Sequence, residues 1–64
     1  MFSVLHEIIE NDLTEKQREA IMMYYFEGLK MREIAEKLGV GIPAVSKRIS
    51  KAEQRIGRMI RYVL

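Results

Sequence analysis

The side chains best suited to chemistry are Ala44, Ser46, Lys47, Ser50 and Lys51, a cluster of small and cationic residues within eight positions. On a helix they point away from Val45, Ile49 and Ala52, whose steps of four and three make an apolar face. The lysines can neutralise phosphate or donate to a guanine edge, and Ser46 can hydrogen-bond to a base or a phosphate. Pro43 and Ala44 are small enough to meet a thymine methyl. Arg32, Lys37, Arg48 and Arg55 add charge for salt-dependent phosphate attraction. Arg48 has the alternative of folding back on the rim of a core.

A helix that presents such a face has to be started and aimed, and the preceding residues are built for that. Ile34 and Leu38 are one turn apart on a first short helix, with the small Ala35 beside them. Ala35 lets a second helix cross closely. Gly39 stands where the first helix must stop, and glycine takes a left-handed C′ conformation without a Cβ penalty. Val40 turns back to the core, Gly41 is a tolerable N-cap, and Pro43 suits a first helical turn, where its missing N–H is harmless. Small residue, turn glycine and core valine at these offsets predict a helix-turn-helix, which lays its second helix in the DNA major groove. The plainer alternative is a helical hairpin whose lysines are merely solvated.

Composition bounds the rest. Sixty-four residues are read as one small domain, 1–64, whose marginal core asks for support. There is no cysteine and one histidine, so neither a disulfide nor a metal site is expected, and a partner chain is the natural support. No cofactor is expected. No apolar run approaches the ~20 residues of a membrane span, and no secretory signal is seen, so the chain reads as cytoplasmic. Residues 1–27 carry two Lys/Arg against six Asp/Glu; residues 28–64 carry nine against three. The basic half coincides with the expected reading helix, which points to a polyanion on that side.

The pattern predicts an all-α fold, a four- to five-helix bundle with no wing and a long C-terminal helix. Residues 1–11 form an amphipathic helix with Phe2, Leu5, Ile8 and Ile9 on one face. Thr14 and Gln17 make a capping box that opens a second helix running to about Phe26 and ending at Gly28. Ala20, Ile21, Tyr24 and Tyr25 are its expected inner face, and Tyr24, Tyr25 and Phe26 are read as core or core edge rather than base-stacking groups. Lys30 is a poor N-cap, so the helix from Met31 to Leu38 should be weakly fixed at its start. From Ile42 the last helix runs toward Leu64. Its stripe of Val45, Ile49, Ala52, Ile56, Met59 and Val63, widened by Ile60, outlasts what the helix-turn-helix can cover. The surplus, residues 56–64, is an interface candidate, satisfied by the N-terminal helix, a second subunit, or both. Leu5, Ile9, Ile56, Met59, Ile60 and Val63 are the expected homodimer contacts.

The stretch Leu13–Ile56 resembles region 4, the −35-recognition domain of sigma-70-family RNA polymerase sigma factors. The matching pieces are Leu13-Thr14 with Gln17-Arg18, Tyr25-Phe26-Glu27-Gly28-Leu29, Glu33-Ile34-Ala35, Leu38-Gly39-Val40 and Val45-Ser46-Lys47-Arg48-Ile49. The resemblance implies DNA binding through the helix starting near Ile42. Pro43, Ala44, Ser46, Lys47 and Lys51 fall on DNA-facing positions and Arg32 on a backbone-contact position. Lys30 and Gly41 depart from the usual caps. The other sigma domains are not in this sequence, which suits a small free-standing regulator better than a complete sigma factor.

The expected function is therefore a sequence-specific regulator of transcription that binds double-stranded DNA, as a homodimer. Its candidate DNA-binding residues are Arg32, Gly41, Pro43, Ala44, Ser46, Lys47, Arg48, Lys51 and Arg55. The alternatives are an accessory factor bound to RNA polymerase and an interaction module that does not bind DNA. No enzyme is expected: there is no Gly-rich phosphate loop and no nucleophile beside a base. His6, near Glu7 and Glu10, is read as a surface residue, because the chain is too short to enclose a catalytic pocket.

Overall fold

The computed structural model describes the backbone of residues 3–63 and the side chains of residues 6–61. Four α-helices follow in order: α1 (Ser3–Asn11), α2 (Glu15–Ile21), α3 (Met31–Leu38) and α4 (Ile42–Val63). The all-α class follows directly. The 22 residues of α4 rise about 33 Å at 1.5 Å each. The molecule is 35 Å in its longest dimension, so α4 is its spine, and α1, α2 and α3 all pack against it. No described helix is long and apolar enough to cross a membrane.

The core is where the apolar periods converge. Ile9, Leu13, Ala20, Ile21, Ile34, Ala35, Val45, Ile49 and Ala52 form one buried cluster. Ile34, Val45, Ala20 and Ala52 have no exposed surface at all. Three of the buried positions are alanines, which let α2 and α3 approach α4 closely. Ile8 is buried as well; the side chains of Phe2 and Leu5 lie outside the described residues. No polar or charged side chain is buried among the described residues, so the core is held by apolar contact alone.

The helix ends are set by local chemistry. At α2 the capping box forms: the Gln17 N–H donates to Thr14 Oγ1 and the Thr14 N–H to Gln17 Oε1, both at 3.1 Å. Arg18 Nη1 then donates to the Glu10 carbonyl at 3.0 Å, tying α2 to the end of α1. α3 starts more firmly than Lys30 promises. Its N–H is taken by Glu33 Oε1 at 2.7 Å, so the carboxylate three residues on supplies the cap that the lysine cannot. α3 ends at Gly39, which is left-handed with φ 70° and ψ 33°. The Val40 N–H closes the turn on the Ala35 carbonyl at 3.0 Å. The Gly41 carbonyl then accepts from Ala44 and Val45, starting α4.

The end of the second helix departs from expectation. Regular α-helix stops at Ile21, and Met22–Phe26 is a π-helical turn, with the Glu27 N–H bonded to the Met22 carbonyl at 3.0 Å. A turn closed from i to i−5 takes in one more residue than an α-turn, so a 3.6-residue period stops assigning faces beyond Met22. Tyr24 stays half-buried, but Tyr25 and Phe26 are 57% and 60% exposed. Tyr25 therefore does not join the expected inner face, and both rings stand at the edge of the core, not within it. Gly28, at φ 71°, ends the segment as expected, and Leu29 folds back onto the core.

Candidate nucleic-acid interface

The bend at Gly39–Gly41 aims the first turns of α4 outward. Val45 and Ile49 anchor it from below, fully and almost fully buried. Above them Arg32, Gly41, Pro43, Lys47, Ser50 and Lys51 are exposed, while Ala44, Ser46, Arg48 and Arg55 are half-buried.

Two shallow grooves run along this side of α4. The first, about 280 Å³, lies between the start of α2 and the first turns of α4; Thr14, Lys16, Gln17, Ala44, Lys47, Arg48 and Lys51 line it. The second, about 390 Å³, continues toward the end of the helix between Asp12, Thr14, Gln17, Lys51, Gln54, Arg55 and Arg58. Thr14, Gln17 and Lys51 belong to both, so the two form a continuous trough. Six cations border it against one carboxylate, Asp12. Low-dielectric protein walls and charge almost all of one sign concentrate a field on a polyanion lying along the trough.

The trough adds Lys16 and Arg58 to the cations picked from sequence. Lys16 sits in the acidic half of the chain, so charge counting along the sequence steers away from it. The capping box fixes the start of α2, and so the Lys16 backbone, which borders the groove against α4. Arg32, Gly41, Pro43 and Ser46 line neither groove. Arg55 Nε is shielded from solvent without a hydrogen-bond partner, so packing rather than a carboxylate holds this cation.

A comparison with known families matches residues 5–56 to sigma-70, region 4. The chain belongs to the sigma-70 region 4 family. Members are helix-turn-helix DNA-binding modules, and the trough runs along α4, the helix that follows the turn at Gly39–Gly41. The match takes in most of α1 as well as the stretch from Leu13, so the N-terminal helix is part of the region 4 unit. No curated protein and no solved structure matches the chain.

The other predicted surface is arranged differently. Ile56, Met59 and Ile60 are half-buried, and Ile9 is buried inside the chain's own core at 4% exposure. The side chains of Leu5 and Val63 lie outside the described residues. An apolar groove of about 400 Å³ does open on this side of α4, and Tyr25 and Phe26 form part of its wall. The Tyr25 hydroxyl donates across to the Glu53 carboxylate. That hydrogen bond, with smaller contributions from burial and the Glu53 charge, raises the phenol above its ordinary pKa of 10.0.

Proposed function

We propose that this region 4 domain is a sequence-specific regulator of transcription that reads the major groove with the start of α4, as a homodimer. The observation that carries the reading is the trough. Lys47 and Lys51 stand exposed on the helix after the bend, and Lys16 faces them from α2 across the groove. In this reading Pro43, Ala44, Ser46, Lys47 and Lys51 meet bases or adjacent phosphates. Lys16, Arg32, Arg48, Arg55 and Arg58 contact the backbone.

The test is binding to duplex DNA across a salt series. Affinity should fall steeply as salt rises, with a log–log slope of about −0.9 per phosphate engaged. Salt-insensitive binding overturns the phosphate account, and no binding to any duplex favours an interaction module. A second reading, a polymerase-bound accessory factor, draws on the exposed Tyr25 and Phe26 beside the apolar groove. Retention by RNA polymerase in the absence of DNA would favour it.

A further inference from the structure

We infer that a second copy of this chain packs against the open side of α4, antiparallel and centred on Gly57, with Glu53 of each copy paired to Arg61 of the other. The inference rests on the dimeric, DNA-binding reading above and supplies its contact surface and register.

The apolar groove is the starting point. Ile21, Ile56 and Gly57 line it, Phe26 and Tyr25 wall it, and both aromatics are more than half exposed. An apolar concavity flanked by exposed aromatic rings marks an association surface on a small protein. Gly57 is the second observation. Glycine inside a helix is about 1 kcal/mol less favourable than alanine. Here the fold does not call for it, since a Cβ added at Gly57 would have nothing within 4 Å. What the missing side chain does allow is a second helix axis drawn in to about 8 Å, the near end of the usual packing range.

Charge identifies the occupant and its direction. Glu53, Gly57 and Arg61 follow at steps of four and share one face of α4, with Glu53 and Arg61 both exposed. Glu53 is the last carboxylate side chain in the chain; beyond it come only Arg55, Arg58 and Arg61. In an antiparallel pair centred on Gly57, a residue four before the crossing faces one four after it. Glu53 then meets Arg61 of the second copy, and twofold symmetry makes the pair twice. A parallel pair would set Glu53 against Glu53 and Arg61 against Arg61, so the pattern selects the antiparallel one.

The same arrangement satisfies an independent requirement. Ser46, central to the reading stretch, lies roughly 16 Å along the helix from Gly57. Antiparallel copies therefore hold their reading stretches about 33 Å apart, close to the ~34 Å of one DNA turn. Lys47, Lys51 and Ala44 lie on one side of Gly57, about a quarter to two-fifths of a turn around α4. In a twofold antiparallel pair, faces so placed point to the same side. Both troughs then face one duplex.

Sedimentation equilibrium of the full chain tests this. Glu53→Lys and Arg61→Glu should each weaken self-association by about tenfold or more, because each sets like charges together twice. Mixed in equal amounts, the two variants should recover wild-type association as a heterodimer, in which both pairs are opposite in sign again. Gly57→Leu should block the close approach while helicity by circular dichroism is kept. Singles that associate like wild type, or a mixture no tighter than its components, overturn the register. A wild-type monomer that still binds duplex overturns the dimer and leaves the DNA reading standing. A monomer retained by RNA polymerase, with retention lost in Phe26→Ala, assigns the groove to polymerase and overturns it too.

Discussion

Lys47 and Lys51 lie on the exposed face of α4, and Lys16 faces them from another helix. The two roles separate by measurement. Lys47→Ala or Lys51→Ala should weaken specific binding by about 1–3 kcal/mol where the side chain reads a base, and relax preference at that base pair. Lys16→Ala should weaken all sequences alike and reduce the salt slope by about one. A Lys16→Ala protein with unchanged slope removes α2 from the interface. Tyr25 offers a separate check. Its raised pKa means that the bond to Glu53 contributes stability below the ordinary phenol range. That contribution disappears as pH climbs through the raised value. In Glu53→Gln the Tyr25 phenolate should form at lower pH than in the wild type, read from its absorbance.

The helices owe their limits to a few local contacts, and each can be removed alone. Thr14→Ala deletes one half of the capping box and should lower stability by about 1 kcal/mol, read from the urea midpoint. Gly39→Ala should lower it by about 1–2 kcal/mol, since an alanine there meets the left-handed penalty with φ at 70°. Ile34→Ala opens a hole in the fully buried centre and should lose about 2–5 kcal/mol. For a chain of this size that approaches its whole stability. If Ile34→Ala melts like wild type, Ile34 is not central to the core. The cap at Thr14 and the turn at Gly39 were readable in advance because each depends on residues three to five apart. The π-helical turn was not, since the residue types of Met22–Phe26 give no signal for closure from i to i−5 in place of i to i−4.

Taken whole, the molecule is a long helix carrying two surfaces, a cationic trough on one side and an apolar groove on another. If the antiparallel pairing holds, the preferred operator is an inverted repeat with half-site centres one turn apart. Selection of bound sequences followed by hydroxyl-radical footprinting should show two protected patches on one face of the duplex. A single protected half-site would argue for a monomer on DNA.

Local chemistry along the chain was enough for the all-α class, the reversal at Gly39–Gly41, the Thr14–Gln17 cap and the buried line of Val45, Ile49 and Ala52. Period, glycine placement and capping are short-range and leave their mark in residue order. Folding in three dimensions was needed to bring Lys16 across to Lys47 and Lys51, to turn Tyr25 and Phe26 outward, and to leave Gly57 open beside an apolar groove. Those outcomes depend on which helices become neighbours, and residues more than thirty positions apart carry no spacing that records it.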